Sequence, residues 1–210
     1  MTAANRINWK PIFLEAMFVV FGVFVALFAN DWWAERRAVE EANGLLGTIE
    51  SEILDNHALV SQSALYHMEL SGRLYAAMGA GERLSPRDFE RGFMSLNEPL
   101  AAAWSTAVEA DAVPNMPVVV VLSLSRTYQE QERYRTQRAM LAELIYQGMY
   151  DGGLQALPSR PGSHATLLSS SIFLECGLLD LYQSSLQVLG REAPPQMPQG
   201  CRDILNGAGR

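Results

Sequence analysis

Hydrophobic positions along the 210-residue chain follow two patterns. The first is a nearly continuous apolar run over residues 11–29, PIFLEAMFVVFGVFVALFA, in which Glu15 is the sole charge. The second is a recurrence of apolar residues every three or four positions, which predicts amphipathic helices. It begins with Leu46, Ile49, Ile53, Val60, Ala64 and Met68. The first pattern predicts a transmembrane helix and the second predicts a helical bundle.

Residues 11–31 have the length and the flanking residues of a transmembrane helix. From Trp9 to Trp32 such a helix is about 34 Å long, enough for a hydrocarbon slab of about 30 Å. Trp9 on one side, and Trp32 with Trp33 on the other, are placed for the two aromatic belts of a membrane. A buried core helix and a cleavable signal peptide are the alternatives, but the stretch ALFANDWW lacks a good small-x-small cleavage site.

One face of this helix carries its small residues and its only charge. At about 100° per residue, four residues fall within about 40° of one line: Glu15, Gly22, Ala26 and Ala29. Small residues let two helix backbones approach closely, and an intramembrane carboxylate favours a partner over lipid. This stripe predicts a contact with another membrane subunit or with a second copy. The alternative is that Glu15 extends to the interface and that the small residues are incidental.

Basic residues flank the run on both sides, with Arg6 and Lys10 before it and Arg36 and Arg37 after it. The α-amino group tips the balance toward a cytoplasmic N-terminus in a bacterial inner membrane. We therefore expect a cytoplasmic N-terminus at 1–10, the transmembrane helix at 11–31, a periplasmic helical domain at 32–190 and a proline-rich tail at 191–210.

The segment after the membrane predicts three long helices and two short ones. The transmembrane helix should continue as one rod to about Gly79–Gly81, because no Gly or Pro pair interrupts it after Trp33. The short helices are expected from Ser85-Pro86 to about Leu96 and from Pro99 to Ala112. A long helix should span Val118–Tyr150; its four valines could suggest a strand, but no second strand-like run accompanies them. Loops at 151–153 and 158–162 precede a last helix, marked by Leu168 to Leu189. The fold class is all-α, an antiparallel bundle with short turns.

Composition excludes several classes of function. The formal charge is −7, and the first 30 residues hold only Arg6, Lys10 and Glu15 among the charged types. The rest therefore carries 14 basic and 22 acidic residues. Such an acidic domain is a poor nucleic-acid binder. Lys10 is the only lysine, so the soluble part lacks the lysine of a P-loop or a Schiff base.

Residues with catalytic or metal-binding chemistry form no known motif. The histidines are His57, His67 and His164, without the carboxylate spacing of bundle metal sites. We expect them to be structural, and we predict no cofactor. Glu175 is in phase with neighbouring apolar residues, which predicts a carboxylate at the core edge, paired with an arginine of the 126–138 segment. The serines of 169–171 and 184–185 lack a nucleophile motif, so we predict no catalytic residue.

Cys176 and Cys201 are the only cysteines, too few for a zinc ribbon. In an oxidising periplasm they should form a disulfide that holds the tail on the bundle, worth about 3 kcal/mol. In a chain facing the cytoplasm they would be two thiols.

The N-terminal run, with Glu15 followed by VVFGVFVALFANDWWAERR and an acidic helix, resembles a family of uncharacterised bacterial single-pass envelope proteins. A second likeness covers Trp104–Thr106, the turn at Ala110–Ala112 and the helix with Tyr128. Asp111 stands where the family pattern has glycine. The resemblance covers about two thirds of the chain and implies an inner-membrane anchor with a helical extramembrane domain, but no activity.

Two functions follow as hypotheses. The first is a non-enzymatic structural or accessory subunit, in contact with lipid and with another membrane protein or its own copies. The second is a membrane-anchored periplasmic ligand-binding or sensory module, whose pocket would lie near Trp104, Tyr128 and Tyr182.

Overall fold

The computed structural model describes residues 9–82, 84–94, 98–191 and 195–208. Within those ranges the chain forms helices and no strand, which confirms the all-α prediction. The helices are α1 (Trp9–Ala80), α2 (Ala102–Glu109), α3 (Val118–Gly152), α4 (Ala156–Ser159), α5 (Pro161–Val188) and α6 (Gln199–Ala208). Turns of 3-10 helix cover Pro86–Phe89, Val113–Asn115 and Gly153–Gln155.

Helix α1 is one uninterrupted rod of 72 residues, about 108 Å long at about 1.5 Å per residue. Its first buried side chain among the described residues is Ala42, and Ile49, Ile53, Val60 and Ala64 of the predicted apolar stripe are buried. The helix ends where the pattern predicts, because Gly81 adopts a φ of +68°. The amide of Glu82 then donates to the carbonyl of Ala77 at 2.9 Å, which closes the last turn.

Helices α1 and α3 run in the same direction. Glu52 and Asn56 of α1 bond in that order to Tyr128 and Gln131 of α3. A short turn cannot join two parallel helices, and the described part of the connection between them carries α2 and two turns of 3-10 helix. The two short helices of the sequence prediction were expected in this connection, and its described part contains α2.

Helix α5 packs against both α1 and α3 and runs opposite to them. Along it, Tyr182 meets Gln131 and Glu175 meets Tyr134, so its numbering falls as that of α3 rises. The main core lies around α5 and includes Ile53, Val60, Leu124, Leu179 and Tyr182. A second group, here called the distal cluster, lies at the far end of α1 and includes Leu70, Leu74, Phe89, Phe93, Ile145 and Leu168.

Two predicted boundaries are wrong, and the predicted tail contains a helix. In the described part of the helix expected from Ser85 to Leu96, only Pro86–Phe89 is helical, as a 3-10 turn, and Gly92 follows it with a φ of +81°. Residues 95–97 lie outside the described residues. Helix α5 starts at Pro161, inside the expected loop, because proline fits the first helical turn. The tail expected at 191–210 contains α6, which packs on α5.

Candidate functional site

The first part of α1 exposes apolar side chains that no other described residue covers. Phe13 is 73% exposed and Phe28 is 75% exposed, and the apolar residues between them are open in the same way. The mean hydropathy of this stretch reaches 2.1, and none of it is buried in the chain. By length and composition it is long and apolar enough to cross a membrane. A second helix passes the same test, α5, but half of its apolar stretch is buried in the bundle.

The predicted partner-contact residues lie on this exposed stretch of α1. Four of its residues, Glu15, Gly22, Ala26 and Ala29, are exposed. A Cβ added at Gly22 meets no atom within 4 Å, so the chain itself leaves room beside this glycine. Within the single chain, no described residue packs against this stripe.

The aromatic residues at the far end of this stretch remain accessible. Trp32 and Trp33 are about half exposed, and their rings meet edge to face at 5.4 Å. The guanidinium of Arg36 lies 4.7 Å from the ring centre of Trp32, a cation–π contact. This pairing of aromatic and basic groups is typical of a membrane interface. The side chain of Trp9 lies outside the described residues.

Glu52 joins three helices at the end of the bundle closer to the apolar stretch of α1. One carboxylate oxygen accepts the backbone N–H of Ala103 at 2.9 Å, in the first turn of α2. The other accepts the hydroxyl of Tyr128 at 2.7 Å. A carboxylate at a helix N-terminus satisfies a free N–H and suits the helix dipole. Glu52 therefore fixes α2 against α1 and α3.

An amide layer continues this network into the core. Asn56 donates to the carbonyl of Leu100 at 2.7 Å and accepts the N–H of Leu100 at 2.8 Å. Gln131 also donates to that carbonyl, at 2.8 Å, and accepts the hydroxyl of Tyr182 at 2.6 Å. Sequence reasoning missed this layer. The available signal was the position of Asn56, which stands in the apolar register of α1.

Glu175 is the most deeply placed carboxylate of the described chain. It is 0% exposed, as is His67, whose Nδ1 lies 2.9 Å and 3.0 Å from the two carboxylate oxygens. The hydroxyl of Tyr134 donates to the same carboxylate at 3.0 Å. Glu175 thus lies deeper in the core than the predicted core edge. Its partners include a histidine of α1 and a tyrosine of the 126–138 segment, where an arginine was expected.

Burial and neighbouring carboxylates keep three phenols protonated. Burial raises the pKa of Tyr128 far above its ordinary value, and the hydrogen bond to Glu52 adds to the effect. Burial likewise raises the pKa of Tyr134, with the charge of Glu175 as the next cause. The pKa of Tyr182 is raised in the same way. These hydroxyls therefore act as permanent donors that hold carboxylate and amide acceptors in the core.

The three histidines have different surroundings. His57 is buried, and burial lowers the pKa of its imidazole. His67 faces Glu175, while the ring of His164 lies edge-on to Phe93 at 5.2 Å in the distal cluster. Among the described residues, no three His, Cys, Asp or Glu side chains are grouped for a metal ion.

Cys176 of α5 and Cys201 of α6 have their sulfur atoms at disulfide distance, 2.01 Å apart, with Cα atoms 5.0 Å apart. Both residues are completely buried in the main core. The pair therefore holds α6 on the bundle.

A groove runs between the 86–94 segment and α3 at the distal end. Its volume is about 430 Å³, and it is open to the surroundings. Its walls are mainly apolar, and they include Phe89, Phe93, Met94, Ala142, Ile145 and Met149. Four charged residues also line it, Glu90, Arg91, Glu98 and Arg138. The side chains of Glu98 and Arg138 are 4.0 Å apart.

The predicted pocket near Trp104, Tyr128 and Tyr182 is filled by these residues. The rings of Trp104 and Tyr128 stack with centres 5.6 Å apart and planes 5° from parallel. Tyr182 is 0% exposed. The aromatic group is a packed part of the core.

Comparison of the chain with protein-family models, with curated proteins and with solved structures finds no match. The resemblance to a family of envelope proteins therefore stays a prediction.

Proposed function

We propose that this chain is a non-enzymatic, single-pass protein of the bacterial inner membrane that serves as a structural or accessory subunit. The observation that carries the proposal is the exposed apolar stretch of α1 from Phe13 to Phe28. A soluble monomer rarely exposes an apolar surface of this size, because its contact with water is unfavourable. Lipid, or lipid together with a partner helix, is the surrounding that fits it.

The subunit role is supported by the stripe of Glu15, Gly22, Ala26 and Ala29. Its small residues leave room for a second backbone, and its carboxylate supplies one polar contact inside lipid. The partner helix comes from another membrane protein or from a second copy of this chain.

The non-enzymatic part of the proposal is supported by the buried polar groups. The carboxylates of Glu52 and Glu175 both accept hydrogen bonds from the fold itself. These contacts join α1, α2, α3 and α5. Such a network suits a rigid scaffold that presents its surface to a partner.

The proposed orientation places the N-terminus in the cytoplasm and the bundle in the periplasm. The cysteine pair of α5 and α6 supports it, since disulfides persist in oxidising compartments. A test uses Ser125→Cys, at an exposed position of α3, in intact cells with a membrane-impermeant maleimide. Labelling before lysis supports the orientation, and labelling only after lysis overturns it.

The subunit contact is tested by mild solubilisation of native membranes, affinity capture of the full chain and mass spectrometry. Glu15→Leu and Gly22→Leu are compared with Gly44→Leu, which makes the same substitution at an open position of α1 beyond the apolar stretch. We expect a bound membrane protein, or a second copy, that is lost in the first two variants and kept in the third. A monomer without a specific partner in the unsubstituted chain would overturn the proposal.

A further inference from the structure

The end of the bundle closer to the apolar stretch of α1 carries an uncharged apolar surface, here called the near-end patch. Val118 is 73% exposed and Leu122 is 67% exposed. Residues 112–125 contain no charged side chain. An exposed apolar surface marks a contact with a membrane or with another protein. The patch consists of exposed residues in the turn before α3 and in the first turns of that helix: Pro114, Pro117, Val118, Val119 and Leu122.

The main core holds the backbone beneath this patch in place. Met116 is 5% exposed and Val120 is 6% exposed, and both belong to the same buried cluster as Ala42 of α1. The amide of Met116 donates to the carbonyl of Val113 at 3.1 Å, which closes the turn before α3. Because buried residues alternate with exposed ones here, the fixed backbone directs the side chains of the patch away from the core.

The patch is level with the first part of α1 that enters the bundle. Helices α1 and α3 run parallel, and Tyr128 bonds to Glu52. Val118 precedes Tyr128 by ten residues, and Ala42 precedes Glu52 by ten residues as well. The start of α3 is therefore level with Ala42, about 14 Å along the rod from Trp33. Side chains of a helix lean toward its N-terminus, so those of α3 lean toward the apolar stretch.

A tilt of the rod within the ordinary range brings the patch to the bilayer. The polar interface is only about 5–8 Å thick, so an upright α1 would hold the patch beyond it. Helix α3 lies about one helix diameter from α1, and the outer side chains of α3 are about 15 Å from the rod axis. Transmembrane helices tilt by up to about 40°. With a tilt of about 30° toward α3, the patch lies about 5 Å beyond Trp33, within the polar interface.

Two features favour lipid as the occupant of the patch. The patch is on the end of the bundle that faces the apolar stretch, and the exposed Arg36 and Arg37 of α1, between the two, suit lipid phosphates. The patch has no charged group, so it lacks the complementary charges by which a protein partner would be oriented. A lipid surface requires no such orientation.

We propose that the near-end patch docks into the polar interface of the bilayer that α1 crosses, so that the bundle rests on the membrane surface and the rod leans toward α3. This inference rests on the membrane anchor of the proposed function. It does not depend on the partner contact made by the stripe of α1.

The test uses the full chain, a single copy in each nanodisc of phosphatidylcholine and phosphatidylglycerol, with the fluorophore NBD on an introduced cysteine. The cysteine replaces Val119 in the patch, Val25 in the apolar stretch, or Leu144, an exposed apolar residue at the other end of α3. Lipids with a nitroxide near the top of the acyl chain are compared with unlabelled lipids. We expect the nitroxide to quench the fluorophore at positions 25 and 119 and to leave position 144 unquenched.

Two matched pairs of substitutions locate the contact. Val118→Glu with Leu122→Glu places two carboxylates in the patch and should lower the ratio of docked to undocked chains about tenfold or more. Quenching at position 119 should then fall toward the level of position 144, while quenching at position 25 stays. Met140→Glu with Leu144→Glu makes the same change at exposed apolar residues of α3 outside the patch, and should leave quenching at position 119 unchanged.

The outcomes separate this inference from the proposed function. Absence of quenching at position 25 would overturn the membrane anchor, and the docking with it. Quenching at position 25 without quenching at position 119 would refute the docking alone. Position 119 shielded only when a second copy shares the nanodisc would assign the patch to a protein contact and would also refute the docking.

Discussion

His67 and Glu175 form a completely buried pair in which the imidazole Nδ1 lies 2.9 Å from one carboxylate oxygen and 3.0 Å from the other. The residues are 108 positions apart in sequence. The contact joins the rod that carries the apolar stretch to the central helix of the bundle. Loss of this contact should therefore lower the stability of the whole domain.

Replacement of either member of this pair should destabilise the bundle strongly. Glu175→Leu leaves the donors of His67 and Tyr134 without their acceptor, and the free energy of unfolding should fall by about 3 kcal/mol. Urea unfolding of the full chain in nanodiscs, followed by tryptophan fluorescence, measures the change. Glu130→Gln, at a largely exposed pair with Arg133, is the control and should cost less than about 1 kcal/mol. A double variant, His67→Leu with Glu175→Leu, that loses the full sum of the single effects would contradict the coupling.

Alkaline pH should unfold the domain through its buried tyrosines. The pKa values of Tyr128, Tyr134 and Tyr182 are raised in the fold above the ordinary value of 10.0. The unfolded chain therefore loses protons first, so stability is full below about pH 10 and falls as the pH rises further. Absorbance of tyrosinate, followed together with circular dichroism, should show these three phenols ionising only in the unfolding transition. Complete ionisation of every tyrosine before any loss of helix would refute this.

Removal of the cysteine pair should release α6 from the bundle. The loop between Cys176 and Cys201 spans 25 residues, and its closure contributes about 3 kcal/mol by restricting the unfolded chain. A variant with both cysteines replaced by serine should lose about this amount and expose residues 199–208 to hydrogen exchange. The contacts of α3 with α5 should keep their protection, because the sulfur atoms join only α5 and α6. Unchanged exchange in α6 would show that its packing alone holds it.

Asp111 is the one described residue other than glycine with a positive φ, +53°. It follows the end of α2, where the amide of Ala112 donates to the carbonyl of Ala107 at 3.1 Å. Asp111→Gly should raise the free energy of unfolding by about 0.5 kcal/mol, because relief of the left-handed strain exceeds the added freedom of the unfolded chain. Ala110→Gly, at the neighbouring right-handed residue, should lower it by a similar amount. A loss of stability in Asp111→Gly would contradict this reading.

Much of the local structure was predictable because helices depend on near neighbours. The spacing of Ile49, Ile53, Val60 and Ala64 identified the buried face of α1, and Gly81 identified its end. The turn after Phe89 was mistaken for part of a helix, since the φ of Gly92 depends on how the returning segment packs. The start of α5 at Pro161 was also missed, because proline is compatible with a loop and with a first helical turn.

The sequence by itself determined the apolar stretch of α1, the helical class and the polar intrusions at His67 and Glu175. Each of these depends on composition or on a period of a few residues. Only the tertiary structure decided that α1 and α3 run parallel, that Glu175 meets His67 and Tyr134, and that a groove opens beside Arg138. These contacts join residues of separate helices. The periodicity of a sequence indicates which face of a helix is buried, but it does not indicate which other helix packs against that face.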